Sequence, residues 1–125
     1  MSRKRTKASI KKNCDKLMGQ HIRSRGYCEC CNNRDKAQLQ WCHIKSRRYL
    51  SIRWDELNSL CLCAKCHRWF TDHPDLFTKW IDKLWPDRLD KLNKQFQVIY
   101  KMTLEDRLNI ERNIKHEMAN NKTSS

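Results

Sequence analysis

The sequence predicts a single α+β domain that is mostly helical, with a small cysteine-rich core between a basic N-terminal helix and several C-terminal helices. Three observations lead to this prediction. Only two glycines and two prolines interrupt the 125 residues, so the chain has few turn signals. Apolar residues recur at helical spacing towards both ends of the chain. Cysteines crowd into residues 27–66, where one short stretch has the apolar and aromatic content of a strand.

Residues 1–25 are predicted to form a basic arm and the first helix. Apolar positions from Ser9 to Ile22 follow helical spacing, and Gly26 stands where such a helix can end. Nine basic side chains against the single acid Asp15 give this segment a charge of +8, and the whole chain carries +13. Such density favours a polyanionic partner, so we expect nucleic acid rather than a basic tail that only aids solubility. The expected contacts in the arm are Arg3, Lys4 and Arg5.

The predicted core covers residues 27–73. "AQLQWCHI" predicts a strand from Leu39 to His43, and the loop "KSRRYLSIRWDELN" follows it. A helix is expected to begin between Cys63 and Cys66.

Residues 74–119 are predicted to form C-terminal helices. Pro74 and Pro86 suit the first turns of two of them, and Thr103 begins a capping box for a last helix that reaches about Met118. Residues 120–125 are expected to be a disordered tail. Apolar stripes assigned to the core comprise Leu76, Phe77, Trp80, Ile81 and Leu84 in the first helix, and Leu89, Leu92, Phe96 and Ile99 in the second.

Two Cys-x-x-Cys pairs predict a tetrahedral zinc site. They are Cys28 with Cys31 and Cys63 with Cys66, and each such turn brings two sulfurs to the separation that Zn–S bonds require. Cys30 and Cys61 remain substitutes, although adjacent or once-removed cysteines rarely direct both sulfurs at one ion. Four thiolates leave no open position, so this zinc would be structural.

The expected compartment is reducing and cytoplasmic. The charged start "MSRKRTKASIKK" is no secretory signal, which favours metal binding over disulfides. No apolar run approaches the roughly 20 residues needed to cross a bilayer, so no membrane partner is expected.

The order of three residues between and after the cysteine pairs resembles the HNH (ββα-metal, His-Me finger) endonuclease family. The matching elements are "HI" at His43, "NSLCLC" with Asn58 five residues before Cys63, and "CAKCH" ending at His67. The resemblance implies a ββα-metal, treble-clef-like core and metal-dependent hydrolysis of DNA phosphodiester bonds. It implies that His43 activates water, Asn58 fixes the loop, and His67 helps to hold a divalent ion such as Mg²⁺ or Mn²⁺.

A narrower resemblance covers most of the chain. "HIRSRGYCECC", "HIKSRRYLSIRWDELN" and "LFTKWIDKLW" are similar to the phage-lambda NinG (Rap) group of recombination endonucleases. This implies branched or flapped DNA as substrate, in phage recombination or replication, and a phage or prophage protein in the host cytoplasm. The second pair here ends in Cys-His, where many members of the group have Cys-Asn. Cutting two strands would need two active sites, so a dimer is compatible with this interpretation.

The implied chemistry agrees with the properties of the side chains. An imidazole with a pKa near 6.5 accepts a proton from water at pH 7, which suits His43 as a general base. Arg47, Arg48 and Arg53 lie on the loop that follows it and are expected to hold backbone phosphates.

Cys42 departs from the family, which commonly has a metal-ligating Asp or His before the catalytic histidine. Three interpretations stay open: a small apolar residue facing the core, which we favour, a ligand for a softer ion, or a weakened site. Trp41, Trp54 and Trp69 can stack on unpaired bases, although burial in the core is the favoured prediction. The alternative function is a zinc-stabilised DNA-binding module without catalysis. A redox or zinc-storage protein would explain the cysteines but not the charge.

Overall fold

The computed structural model describes residues 5–96 and 101–123. Arg3 and Lys4, two of the expected nucleic-acid contacts, and Ile99 of the second apolar stripe lie outside the described residues. Within those ranges, no helix combines the length and the apolar character that crossing a membrane requires. The elements in chain order are α1 (Lys7–Arg23), β1 (Leu39–His43), α2 (Leu50–Arg53), β2 (Ser59–Cys63), α3 (Ala64–Asp72), α4 (Pro74–Leu84), α5 (Arg88–Phe96) and α6 (Leu104–Thr123).

Helix α1 follows the predicted periodicity and begins two residues before the expected start. Thr6 caps it, because the Thr6 hydroxyl accepts from the Ser9 N–H and the Ser9 hydroxyl accepts from the Thr6 N–H. The helix ends at Arg23, and the chain then turns through Gly26 with φ of +83°. Side chains on the buried face are Ile10, Cys14, Met18 and Ile22. This face packs against α6 and the sheet.

The strands β1 and β2 form an antiparallel two-stranded sheet in which Trp41 lies opposite Cys61 and His43 opposite Ser59. The bounds predicted for the first strand are confirmed. The second strand was not predicted, because every residue of "SLCLC" is buried and the sequence shows no alternation of polar and apolar positions. Direct continuation of β2 into α3 places His67 beside the sheet.

The stretch expected as a loop between the strands is more regular than predicted. It contains α2 and a 3₁₀ turn at Glu56–Asn58, which the Asp55 carboxylate caps at the Leu57 N–H. Local capping therefore orders a segment that lacks clear apolar periodicity.

The C-terminal helices begin close to the predicted positions. Helix α4 starts at Pro74, and the capping box of Thr103 with Asp106 precedes α6. Helix α6 continues to Thr123, so residues 120–123 are helical where a disordered tail was expected. Residues 124–125 lie outside the described part of the chain.

The first C-terminal stripe is buried only in part. Ile81 is fully buried, but burial was wrongly predicted for Leu76 and Leu84, which are 45% and 49% exposed. The contact with α3 is made instead by Phe77 and Trp80, whose ring centroids each lie 4.9 Å from that of Phe70. Large aromatic rings thus fill the interface that aliphatic side chains were expected to share.

Candidate functional site

The four cysteines of the two predicted pairs gather at one point, which we call the cysteine cluster. Cys28 and Cys31 lie on a turn before β1, Cys63 ends β2, and Cys66 lies in the first turn of α3. Their sulfurs all lie within 4.8 Å of one another, and those of Cys31 and Cys63 are 3.7 Å apart. Tetrahedral Zn–S bonds of about 2.3 Å place neighbouring sulfurs roughly 3.8 Å apart. The cysteine cluster can therefore hold a structural metal ion such as Zn²⁺.

The turn that carries the first pair is fastened to β2 through Glu29. The Glu29 N–H donates to the Cys61 carbonyl at 2.8 Å, and the Glu29 carboxylate accepts from the Cys61 N–H at 2.7 Å. The same carboxylate accepts from the Arg25 guanidinium at 2.8 Å. These bonds hold the first Cys-x-x-Cys turn against β2, the strand that ends at Cys63.

The thiol of Cys63 has the properties of a metal ligand. Burial raises its pKa, but bonds from the Cys66 N–H and from the neighbouring thiols outweigh burial and bring the pKa to about 7. The thiolate is the form that binds metal. The cysteine cluster thus favours deprotonation of one ligand near neutral pH.

The remaining candidate cysteines lie outside this group. Cys30 is exposed beside Cys66, whereas Cys61 is fully buried in β2. Cys42 is only 4% exposed, and burial, with the charge of Glu29 as a smaller cause, raises its pKa to about 12. Of the three interpretations of Cys42, the structure agrees with the apolar core residue. Side chains alternate along β1, so Cys42 and His43 face opposite sides of the sheet.

A second feature is a cleft of about 680 Å³ on the face of the sheet that carries Trp41 and His43. It contains both histidines of the motif, His43 from β1 and His67 from α3. Its lining residues are Asp15, Trp41, His43, Ser46, Arg47, Arg53, His67 and Thr71. We refer to this feature as the cleft. The direct junction of β2 with α3 is what brings two residues 24 positions apart in sequence to one surface.

The ring of His43 is held in one orientation. Its Nε2 lies 3.0 Å from the Arg53 carbonyl oxygen, and because a carbonyl can only accept, Nε2 carries the hydrogen. The neutral ring therefore has its lone pair on Nδ1. The ring also packs on Trp41, with 4.2 Å between centroids. Burial lowers the pKa of His43 despite the bond to the Arg53 carbonyl, so the imidazole is neutral at pH 7.

The carbonyl that holds His43 belongs to a residue that is itself fixed. The Arg53 guanidinium donates to the Asp15 carboxylate at 2.8 and 2.7 Å and to the Arg47 carbonyl at 2.7 Å. Trp54 Nε1 donates to Asp15 at 2.9 Å. Burial raises the pKa of Asp15, but these bonds outweigh burial and hold it below the ordinary value. The observed partners of Arg53 are thus protein atoms, and its predicted contact with phosphate stays a prediction.

Asn58 is fully buried and connects the two ends of the loop. Its side-chain oxygen accepts from the Lys45 N–H at 2.7 Å, and its amide group donates to the carbonyls of Lys45 and Ile52 at 3.1 and 3.2 Å. Its own carbonyl accepts from the Ile44 N–H at 2.9 Å. Asn58 therefore fixes the chain immediately after His43 and is a positioning residue.

His67 offers one nitrogen to the cleft. The Gln40 side-chain oxygen lies 2.7 Å from its Nδ1, which assigns the hydrogen to Nδ1 and the lone pair to Nε2. Burial lowers the pKa of His67. Within the described residues, the cysteine cluster is the one place where three or more metal-binding side chains converge. Among the described residues, the cleft therefore contains no preassembled group of ligands for Mg²⁺.

The arginines differ in how far they are committed to protein contacts. Arg47 and Arg48 are exposed, and the Arg48 guanidinium lies 5.9 Å from the centre of the Tyr49 ring. Arg5 donates to the Glu111 carboxylate at 2.8 Å and so ties the start of the chain to α6. Arg5 is the predicted arm contact that lies within the described residues, and it forms an internal ion pair with Glu111.

Three lining residues of the cleft were not identified from sequence: Asp15, Ser46 and Thr71. The same holds for Gln40, the partner of His67. Asp15 is the single acid in a strongly basic segment, and that isolation was an available signal. Gln40 has no such signal, because its partner His67 lies 27 positions away.

No family model, no curated protein and no solved structure matches this chain. The resemblance to HNH endonucleases therefore rests on the motif residues themselves.

Proposed function

We propose that the chain is an HNH-type DNA endonuclease with a ββα-metal, treble-clef-like core. The observation that carries the proposal is the state of His43. Its Nε2 is committed to the Arg53 carbonyl, which leaves Nδ1 as a base in a cleft that His67 and Arg47 also line. A packed histidine can also have a fixed tautomer, so the support comes from the position of His43 in one cleft with His67 and Arg47.

The proposed reaction is hydrolysis of a phosphodiester bond. His43 Nδ1 takes a proton from water as the water oxygen bonds to phosphorus, and the bond from phosphorus to the 3′ oxygen breaks. The departing 3′ oxygen takes a proton from a second water molecule. A divalent cation such as Mg²⁺ or Mn²⁺, held by His67 and phosphate oxygens, would stabilise the charge on the phosphate.

Positive charge around the cleft supports a nucleic-acid substrate. The chain has a net charge of +13, and the exposed Arg47 and Arg48 lie on the segment that follows His43. In this proposal those two residues hold phosphates, whereas Arg53 positions the His43 ring and Arg47 through its own bonds.

The proposed role of the cysteine cluster is to bind one structural Zn²⁺. Four thiolates complete a tetrahedral shell, so water and substrate have no position on the ion. The ion would join the turn before β1 to the start of α3, the helix that carries His67. DNA with flaps or junctions is the substrate class that the narrower resemblance implies, in phage recombination or replication.

The test is cleavage of linear, flapped and four-way-junction DNA with added Mg²⁺ or Mn²⁺. We expect the His43→Ala protein to retain its zinc and its DNA binding but to lose cleavage by about 10²- to 10⁴-fold, the usual contribution of a general base. His116→Ala is the matched control, because His116 is exposed on α6 and belongs to neither site. Equal cleavage by the His43→Ala and natural proteins would overturn the assignment of the base.

A second candidate is a zinc-stabilised DNA-binding module without catalysis. It is favoured by the absence, among the described residues, of a preassembled group of metal ligands at the cleft. The cleavage assay separates the two candidates, since a binding module would bind all three DNAs and cut none of them.

A further inference from the structure

Among the described residues, Trp69 is the most exposed large apolar side chain. It lies on α3 and is 52% exposed, so the prediction that it is buried was wrong. One part of the indole is covered by the His73 ring, with 3.8 Å between centroids and an angle of 24° between the rings. More than half of a large aromatic surface therefore remains open to solvent.

The His73 ring that covers this indole is itself held by a hydrogen bond. His73 Nδ1 lies 2.8 Å from the Trp69 carbonyl oxygen, so His73 donates to the main chain of the residue on which it stacks. His73 is also held by its place between α3 and α4. A ring that is already immobilised loses little conformational freedom on binding a ligand. We call Trp69 with His73 the indole platform.

A groove of about 520 Å³ lies beside the indole platform. It lies along α3, and its lining residues are Ala64, Lys65, Cys66, Arg68, Trp69 and Asp72. The two cations and one acid leave a net positive charge next to an exposed aromatic ring. This combination suits a ligand with a flat aromatic part and a negative charge, which are the two properties of a nucleotide.

We propose that the groove binds an unpaired base of single-stranded DNA, which stacks on Trp69 while Lys65 and Arg68 contact the adjoining phosphates. Stacking on an aromatic side chain tolerates any base, since every base has a π-face. The groove offers no cluster of amide side chains that would read a base edge, so we expect little sequence preference.

The placement on α3 indicates which DNA would use both sites. Residues two apart on an α-helix are separated by about 200° around the axis, so Trp69 faces away from the cleft that contains His67. DNA with a paired segment at the cleft and an unpaired strand passing around α3 would contact both surfaces. This link between the two surfaces rests on the proposed function, whereas single-strand binding by the indole platform does not.

The test is binding of an oligothymidylate of about 12 nucleotides and of a duplex of equal length, measured by fluorescence anisotropy with the full chain. We expect Trp69→Ala to weaken oligothymidylate binding roughly tenfold, as removal of one stacking partner does, and to leave duplex binding unchanged. Trp69→Phe should retain most of the affinity. Tyr27→Ala is the matched control, because Tyr27 is another exposed aromatic residue, 39% accessible, with the Arg34 guanidinium 5.8 Å from its ring centre.

Unchanged oligothymidylate binding by Trp69→Ala would overturn the proposal, and so would an equal loss of duplex binding. Zinc content and the circular dichroism spectrum of each variant establish that the fold is retained. His43→Ala separates this proposal from the nuclease, since that variant should bind oligothymidylate normally. If the natural protein cuts no DNA but Trp69→Ala still loses single-strand binding, the nuclease proposal fails and the indole platform stands.

Discussion

The cysteine cluster and the cleft lie on the same short sheet and helix, yet they are organised in opposite ways. In the cysteine cluster, four donors of one chemical type already lie within 4.8 Å of one another. In the cleft, the titratable side chains are committed individually to protein partners: His43 to the Arg53 carbonyl, His67 to Gln40, and Asp15 to Arg53. Four thiols that already lie together can bind a structural ion without other ligands. Side chains that are oriented but separated leave room between them for a substrate.

The cysteine cluster and the cleft also differ in how much they are expected to contribute to the free energy of unfolding. A single domain of this size has a net stability of about 5–15 kcal/mol, and a structural zinc ion contributes about 10–16 kcal/mol of binding free energy. The cysteine cluster can thus determine whether the core folds. The cleft contributes through a few hydrogen bonds, each worth about 1 kcal/mol, so its residues can change function while the fold survives.

The largest expected effect is at the cysteine cluster. Cys63→Ser removes one thiolate from the four, and we expect loss of bound zinc and of cooperative thermal unfolding. Metal analysis and circular dichroism measure these two quantities. Cys30→Ser is the matched control, because Cys30 is an exposed cysteine outside the four. A Cys63→Ser protein that keeps its zinc and its melting temperature would contradict the assignment.

A smaller effect is expected at Asn58, which connects the loop to the strand that carries His43. The Asn58 side chain is fully buried. Asn58→Ala therefore leaves the Lys45 N–H and the carbonyls of Lys45 and Ile52 without their hydrogen bonds. We expect the free energy of unfolding, measured with urea, to fall by about 3 kcal/mol, with zinc retained. Asn113→Ala, at an exposed position of α6, should change little. Equal losses in the two variants would show that Asn58 does not fix the loop.

The smallest expected effect is the dependence of cleavage on pH. Burial lowers the pKa of His43 below its ordinary 6.5, so the base is unprotonated at pH 7 and the rate should be level above about pH 6.5. Below the lowered pKa, protonation should reduce the rate about tenfold for each pH unit. The stabilisation linked to neutral His43 is likewise full above about pH 6.5 and is lost as pH falls through the lowered value.

Rates are to be measured between about pH 5 and 8, a range that brackets the ordinary histidine pKa, with the zinc content followed in parallel. A rate that rises as the pH falls would contradict the role of His43 as a base.

The sequence predicted the parts of the fold that depend on local pattern. Strand β1 and the start of α4 were placed correctly, because the apolar and aromatic content of "AQLQWCHI" and the position of Pro74 are local signals. Strand β2 was missed because burial on both faces removes the alternation. Exposure of Leu84 and Trp69 depends on which rings fill the interface of α3 with α4, and no local pattern determines that.

The candidate site was likewise predicted from sequence only in part. The spacing of Cys-x-x-Cys selected the four thiols that the structure brings together, and left out Cys30 and Cys61. The bonds that orient the two histidines join residues 10 and 27 positions apart, His43 to Arg53 and Gln40 to His67. Such contacts are set by the packing of β1, α2 and α3, so the sequence could name the histidines but not the groups that hold them.

The most direct test of the difference between the two sites is mild chelation followed by a cleavage assay. Cleavage of flapped DNA and bound zinc are measured on the same sample, before and after exchangeable divalent ions are removed. The proposal predicts that cleavage stops while the zinc stays bound, and that Mg²⁺ or Mn²⁺ restores it. Cleavage that continues with only the zinc present, or that returns only when zinc is added, would contradict a structural cysteine cluster and a separate catalytic cleft.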